Sequence, residues 1–175
     1  MAAKKAAAKN KPDTKQREMK EPGKKGGTAL LISVLAALLI ALSVRMFGFS
    51  FVYVRSGAMN DTLFAGDIVL ISRSAQPECG NIVLAGALNG SAFLRVAGEP
   101  GDMVAIKNGQ ILRNSMPLHE PYAKGAGQEM PETRLEGAYL LLPDDRSYEG
   151  ALVERGGIAG VARLIIWPVS RAGFL

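Results

Sequence analysis

Residues 55–71 read RSGAMNDTLFAGDIVLI, and this stretch decides how the whole chain is interpreted. Its first half is polar and contains Gly57 and Asn60, which favour a loop. The Gly-Asp pair that begins at Gly66 is typical of a turn, and the β-branched apolar run after it, which ends at Ile71, is typical of a strand. We therefore predict an irregular loop that leads through a turn into a β-strand.

The rest of the chain repeats this alternation of short apolar segments and turn-forming residues. Asn108 and Gly109 lie between two apolar runs and predict a two-residue hairpin of type I′. No segment after residue 46 has a helical period, and residues 123–134 predict an exposed loop. The expected fold class is therefore mainly β, a domain of short antiparallel strands. The predicted strands are FSFVYV, DIVLIS, NIVLAGA, AFLRVAG, MVAIKN, QILRN, AYLLL and ARLIIW.

The positive charge of the chain is concentrated in its first 27 residues. Residues 1–27 hold nine Lys or Arg against three acidic residues, a net charge of +6, whereas the whole chain carries +5, so the remainder sums to −1. The folded part is therefore not basic, and we predict no nucleic-acid partner. Residues 1–27 are expected to form a disordered, basic cytoplasmic tail.

An uncharged apolar run, TALLISVLAALLIALSV, follows this tail at residues 28–44. As a helix it would be roughly 26 Å long, which approaches the thickness of a bilayer core. We predict a transmembrane helix over residues 28–45, with a buried core helix or a cleaved signal peptide as alternatives. The basic residues before it predict a single-pass cell-membrane protein with a cytoplasmic N-terminus and an extracytoplasmic β-domain over residues 46–175.

Cysteine and histidine are too few for the sites that they commonly build. Cys79 is the single cysteine, which excludes a disulfide within the chain, and His119 is the single histidine. A metal centre of several Cys and His ligands is therefore excluded. We predict no metal and no cofactor.

Several motifs of this chain resemble those of type I signal peptidases and occur in the same order along the sequence. Type I signal peptidases are membrane-anchored serine proteases with a Ser/Lys dyad on a β-fold. The resemblance covers most of residues 49–168. The stretch at residues 55–71 is similar to S-G-S-M-x-P-T-L followed by G-D-x-V-L. The further motifs are PECGNIVLAG, similar to P-x-x-G-D-I-V; FLRVAGEPGDMVAIKNGQILRNSMPLHEPY, similar to K-R-V-x-G-x-P-G-D-x-V with an N-G hairpin and E-P-Y; and LLLPDDRSYEGA, a degraded G-D-N-R and S-x-D-S-R.

The departures from the family pattern fall on its chemistry. The nucleophilic serine corresponds to Ala58, and the lysine that accepts its proton corresponds to Leu94. Neither a methyl group nor an isobutyl group can serve as nucleophile or base. Asp61 replaces a proline, and Gly150 stands, across a two-residue deletion, where the second motif has a serine.

Binding features of the family loop have counterparts in this sequence. Ser56 corresponds to the serine whose hydroxyl helps to form the oxyanion hole, together with the backbone N–H at position 58. The resemblance therefore implies a peptide-binding surface. Its expected residues are Ser56, Ala58, Met59, Phe93, Leu94 and Arg95.

These observations predict a signal peptidase homologue that is not an enzyme and that acts as a binding or assembly factor. Its expected partners are the lipid bilayer and an extracytoplasmic peptide or protein, with pilin subunits of Gram-positive surface pili as the leading specific case. The alternatives are an active signal peptidase with displaced catalytic groups and a regulatory subunit of an active one. Lys107, Lys124 and His119 are the candidates for displaced groups. Neither lysine lies in a segment that is expected to be buried against residues 56–59, and His119 is expected to be exposed in a Pro-rich loop.

Overall fold

The computed structural model describes residues 25–46, 48–86 and 91–175. The chain divides into two compact units at the boundary between Ile40 and Ala41, and each is described by itself. The disorder predicted for residues 1–27 lies outside the described residues, apart from the last three, which begin the first helix.

The first element, α1, spans Lys25–Met46 and contains the apolar run. Its leucine and isoleucine side chains are exposed, Leu31 and Ile32 each to 68%. Within the described part of the chain, no helix is long and apolar enough to cross a membrane. The transmembrane helix predicted over residues 28–45 is therefore not supported.

The remainder of the chain is mainly β, and all of its strand pairs are antiparallel, which confirms the predicted fold class. The strands are β1 (Phe49–Tyr53), β2 (Ile68–Ser72), β3 (Ile82–Ala85), β4 (Ala92–Gly98), β5 (Met103–Lys107), β6 (Gln110–Arg113), β7 (Met116–Pro117), β8 (Met130–Arg134), β9 (Ala138–Leu142), β10 (Ala151–Glu154), β11 (Ile158–Trp167) and β12 (Gly173–Phe174).

These strands form two sheets. The larger has the order β1-β2-β11-β3-β4-β9-β10, with β12 paired to β11, and the smaller has the order β7-β6-β5-β8. The hairpin between β5 and β6 turns at Asn108 and Gly109, whose φ angles are 51° and 74°. Positive φ at both central residues is what a type I′ turn requires, so this prediction is confirmed.

One segment predicted as a loop is a strand. β8, Met130–Arg134, pairs with β5 at the edge of the smaller sheet, so the prediction of an exposed loop over residues 123–134 is wrong in its second half. The sequence MPETR lacks an apolar alternation because most of it faces solvent, and Pro131 is tolerated because the strand is at an edge.

Two side chains of the loop after β1 anchor it in the core. Met59 and Leu63 are fully buried and pack with residues of β2, β3 and β4 in one apolar cluster. Their backbones form a single turn, in which the Leu63 amide donates to the Met59 carbonyl at 2.7 Å. Burial of two large side chains stabilises this loop by about 3–5 kcal/mol relative to an exposed one. The loop is therefore a fixed part of the domain.

Candidate functional site

The loop at residues 56–63 places Ser56 and Ala58 side by side. The backbone N–H of Ala58 donates to the Ser56 Oγ at 3.1 Å, and the Ala58 carbonyl accepts from the Asp145 amide at 3.0 Å. The N–H that was expected to bind a peptide carbonyl is therefore already bonded to Ser56. A carbonyl would bind here by replacing Ser56 as the acceptor of that hydrogen bond, while the Ser56 hydroxyl turns to donate to the same carbonyl.

A small pocket lies beside these two residues. Its volume is about 10 Å³, which is close to the minimum space for one water molecule. As it stands, it therefore has no room for a large side chain. The lining residues are Tyr53, Val54, Arg55, Ser56, Ala58, Met59, Ser91, Ala92 and Phe93.

The pocket lies between the end of β1 and the start of β4, where one edge of β4 is open. Residues 92–95 of β4 pair with β3 on one side, but pairing with β9 on the other side begins only at Arg95. Within residues 25–46, 48–86 and 91–175, no strand therefore pairs with Ala92 to Leu94, the first three residues of β4, on that second side. An extended peptide can add main-chain hydrogen bonds to such an edge.

The Leu94 side chain does not lie in the pocket beside Ala58. It is buried in a cluster with Val83, Val96, Tyr139 and Leu141, and it is not among the residues that line the pocket beside Ala58. The structure therefore brings Ser56, Ala58, Met59 and Phe93 together and places Leu94 in the core of the sheet. A role of Leu94 in peptide binding stays a prediction.

Arg95, the next residue of β4, supports the loop through a buried ion pair. Its Nε and Nη2 donate to the two carboxylate oxygens of Asp144 at 2.8 and 2.7 Å, and its Nη1 donates to the Gly80 carbonyl at 2.9 Å. Thr62 donates its hydroxyl to the same carboxylate at 2.8 Å. The guanidinium also lies 3.9 Å from the centroid of the Tyr122 ring. Because these donors are in use, a peptide acceptor would have to compete with the Asp144 carboxylate.

Sequence reasoning did not find Thr62 and Asp144 as parts of the site. Asp144 lies in the motif LLLPDDRSYEGA, which could have identified it as a site residue. Nothing in the sequence links a threonine in the loop to a carboxylate 82 residues later. Burial, together with the charge of Glu120, raises the pKa of the neighbouring Tyr122 hydroxyl to about 12. Tyr122 is therefore neutral at physiological pH.

Lys124 contacts the loop at Asp61, outside residues 56–59. Its Nζ forms an ion pair with the carboxylate of Asp61, and both side chains are more than half exposed. The segment is held by backbone hydrogen bonds, because the Lys124 amide donates to the Asp144 carbonyl and its carbonyl accepts from Arg146. Asp61 adopts a φ of 82°, a conformation that proline cannot adopt.

Gly150 has no room for a side chain. A Cβ atom at this position would lie 2.3 Å from the Leu142 Cδ2 and 2.9 Å from the Leu141 carbonyl oxygen. A serine here would force a movement of β9. His119 has no hydrogen bond or ion pair with the loop among the described contacts, and its role stays a prediction.

Known proteins resemble this chain over most of its length. The sequence model of the family described as "Signal peptidase, peptidase S26" matches residues 28–167. "Probable signal peptidase I-2" of Synechocystis sp. is 31% identical over 162 residues, which cover 82% of this chain and 74% of that protein. "Signal peptidase I" of Leptolyngbya laminosa is 30% identical over 160 residues, 79% of each chain. "Signal peptidase I" of Bacillus amyloliquefaciens is 28% identical over 169 residues, 81% of this chain and 84% of that protein.

These relatives correct one prediction. Proteins about 30% identical to this chain over most of its length are named as an enzyme, signal peptidase I. The prediction that the chain is not an enzyme is therefore wrong. It rested on Ala58 and Leu94, with further departures at Asp61 and Gly150, and these few positions weigh less than a match that extends over residues 28–167.

Proposed function

Because this chain belongs to the signal peptidase family, peptidase S26, we propose that it is an endopeptidase that acts on the signal peptides of secreted proteins. The reaction is the addition of water across one peptide bond, which gives a new carboxylate on the signal peptide and a new amine on the mature protein. The observation that carries this proposal is the match across residues 28–167, which includes the loop, β4 and the residues that support them.

The proposed substrate binds as an extended strand between the end of β1 and the open edge of β4. Main-chain groups of Ala92 to Leu94 would supply hydrogen bonds, and the Ser56 hydroxyl with the Ala58 amide would hold the carbonyl of the bond to be cleaved. The pocket of about 10 Å³ supports a preference for a small side chain, such as alanine, next to that bond. Phe93 and Met59 form its apolar wall.

The proposed chemistry uses groups other than the side chains at positions 58 and 94. The groups that the structure brings to the loop are the Ser56 hydroxyl and the Lys124 ammonium, the latter through its ion pair with Asp61. We propose these two as the displaced catalytic groups. Water attacks the carbonyl carbon while the Ser56 hydroxyl holds the carbonyl oxygen, and the Lys124 ammonium gives a proton to the departing amine and regains one from the attacking water. No step is assigned to Ala58 or Leu94.

The test is cleavage of a preprotein by the purified full chain, with the new amino terminus identified by mass spectrometry. We expect cleavage after a small residue, a loss of at least about 100-fold in kcat/KM in Ser56→Ala, and a smaller loss in Lys124→Met. Ser147→Ala is the matched control, because Ser147 is exposed and its side-chain hydrogen bond goes to Asp145. Failure of the unaltered protein to cleave, or full activity of Ser56→Ala, would refute this assignment.

We propose as a second role that the same surface holds an extracytoplasmic protein partner, with pilin subunits as the leading case. The observation that favours it is the open edge of β4 beside Ser56, because strand addition draws affinity from main-chain groups and does not require hydrolysis. A photo-crosslinker at Asn60, which is exposed in the loop, would capture such a partner, whereas one at Glu132 on β8 is the control. Capture of an active signal peptidase instead would support a regulatory role.

We propose a membrane location with the N-terminus in the cytoplasm and the β-domain outside. The net charge of +6 before residue 28, the exposed apolar side chains of α1 and the exposed Phe51, Tyr53 and Trp167 support it. Protease added to cells without a wall should digest the β-domain and spare residues 1–27. Protection of the β-domain would refute this orientation.

A further inference from the structure

A second and much larger cavity lies between the two sheets, away from the pocket beside Ala58. Its volume is about 210 Å³, and it shares no lining residue with the smaller pocket. Strands β5, β6 and β8 form one wall, and β9 and β10 form the other. The buried side chains that make its interior apolar are those of Ile106, Ile111, Leu140 and Leu142.

The part of the cavity that meets solvent carries negative charge. Glu129 and Glu149 line it, and both are exposed. Neither glutamate forms an ion pair with another of the described residues. Tyr148 lines the cavity beside them and is 48% exposed. The entrance therefore offers two carboxylates and one aromatic ring.

The hairpin between β5 and β6 holds Glu129 at this entrance. The Oε1 atom of Glu129 accepts a hydrogen bond from the Asn108 amide at 2.7 Å, and its Oε2 atom has no hydrogen-bond partner in the described part of the chain. A Cβ atom at Gly109 would lie 2.9 Å from the Ala126 Cα, so the turn packs closely on the segment that leads to Glu129. The carboxylate is therefore fixed in place and keeps one oxygen for a ligand.

The positive charge in the lining, that of Arg146, is not available to a ligand. Its side chain is 8% exposed and forms an ion pair with Glu120, which is 10% exposed. Gly125 and Gly127 lie against it, and their φ angles of 84° and 70° let the backbone follow the arginine closely. Because this pair is enclosed and neutral as a whole, a ligand in the cavity meets the charge of the two exposed carboxylates.

We propose that this cavity binds a small organic cation, a protonated amine attached to an apolar body such as an aromatic ring. The apolar body lies between the sheets, and the ammonium stays at the entrance near Glu129, Glu149 and the ring of Tyr148. Since that end of the cavity meets solvent, the ammonium keeps part of its hydration and avoids the cost of a buried charge.

The size of the cavity sets the size of the ligand. An apolar cavity of about 150 Å³ holds benzene. A cavity of about 210 Å³ therefore has room for an aromatic ring with a two-carbon chain. The site shares no lining residue with the pocket beside Ala58, so this proposal does not depend on the proposed peptidase function.

The test compares three probes of similar size but different charge on the full-length protein: phenethylamine, phenethyl alcohol and phenylpropionate. Methionine methyl groups are labelled with ¹³C, so that Met130 reports on the cavity and Met59 on the loop. We expect phenethylamine to shift the Met130 signal but not that of Met59. It should bind about fivefold more tightly than the alcohol at low salt, and phenylpropionate should bind more weakly than either. The advantage of the amine should shrink in about 0.5 M salt, because the carboxylates are exposed.

A double variant, Glu129→Gln with Glu149→Gln, removes the charge and keeps the shape of the entrance. Glutamine retains a side-chain oxygen that can accept from the Asn108 amide. Phenethyl alcohol should therefore bind as before, which shows that the cavity is intact. The advantage of phenethylamine should fall to about twofold, the contribution expected of Tyr148 alone.

The matched control is Glu132→Gln with Glu136→Gln, which removes two exposed carboxylates that do not line the cavity. The fivefold advantage of the amine should persist in this control. The proposal is overturned if no probe shifts Met130, or if phenethylamine has no advantage over the alcohol. It is also overturned if the full advantage persists without Glu129 and Glu149, or if the control loses it equally.

Discussion

Leu94 and Arg95 are neighbours on β4, yet their surroundings are opposite in character. Leu94 lies in an apolar cluster, whereas Arg95 donates to Asp144 and Gly80 and packs on Tyr122. In the resemblance to signal peptidases, the Leu94 position holds a reacting group and the Arg95 position does not. The polar contacts of Arg95 are therefore intact in this chain, whereas the Leu94 position has an apolar side chain where the resemblance implies a reacting group.

Removal of the Asp144 carboxylate should have the largest effect on the fold. Asp144 is fully buried and accepts hydrogen bonds from Arg95 and Thr62, so Asp144→Ala leaves the Arg95 guanidinium buried without its partner. We expect a loss of about 3–5 kcal/mol in the free energy of unfolding, measured with urea. Asp145→Ala, one residue away and at the surface, should have a far smaller effect. Equal losses in the two variants would contradict a special role for the network.

A charge in place of the Leu94 side chain should have the next largest effect on the free energy of unfolding. Leu94→Lys places an ammonium among Val83, Val96 and Tyr139, with an expected loss of about 2–3 kcal/mol at pH 7, whereas Leu94→Met should cost less than about 1.5 kcal/mol. Burial lowers the pKa of a lysine in the folded state, so the unfolded chain binds more protons. The deficit should therefore shrink as pH rises toward the pKa of the unfolded lysine. A deficit independent of pH would contradict burial of the new charge.

Much of the fold could be predicted because the apolar pattern of the central strands is local. The segment AFLRVAG coincides with β4 and AYLLL with β9, since both strands are buried and bounded by turn-forming residues. β8 and β10 are edge strands and were missed. In β8 exposed polar residues hide the alternation, and β10 is only four residues long, with the apolar Leu152 on its exposed face. Edge strands depend on their partner more than on their own sequence.

The candidate site was predictable where it depends on a continuous motif. Ser56, Ala58 and Met59 come from one loop, and Phe93 follows from the start of β4, so their proximity agrees with the resemblance. The contact between Lys124 and Asp61 was missed because two long-range backbone hydrogen bonds at Lys124 bring the segment to the loop. Such tertiary placement has no signal in the pattern of a single sequence.

Acid should weaken a second polar network while it leaves the apolar clusters unchanged. Burial alone would raise the pKa of the Asp102 carboxyl, but hydrogen bonds from the Glu99 amide, Arg113 and Asn114 outweigh it and hold the pKa below its usual range. A carboxyl with a lowered pKa in the folded state stabilises the protein above the unfolded pKa, about 3.9, and this contribution is lost as pH falls through the folded value.

The variant that tests this acid dependence is Arg113→Met, compared with the unaltered protein in urea titrations between about pH 5 and pH 2.5. Without Arg113, the pKa of Asp102 should lie closer to its ordinary value, so this variant should lose less stability on acidification. Arg134→Met on β8 is the control for removal of a positive charge. Parallel losses in the two proteins would contradict a role of Arg113 in the pH dependence.

The ion pair between Lys124 and Asp61 should have the smallest effect on stability, although it lies closest to the loop. Both side chains are more than half exposed, so water and salt screen their attraction. Lys124→Met should lower the free energy of unfolding by no more than about 0.5 kcal/mol, and the difference should disappear in about 1 M salt. If Lys124 also acts in the proposed cleavage, kcat/KM should fall at both salt concentrations, while Lys107→Met, the matched control on β5, changes neither quantity. A stability loss above about 1 kcal/mol would instead mean that Lys124 holds the loop in place, as the buried ion pair of Arg95 does. The exposed ion pair would then differ little from the buried one in its contribution to stability.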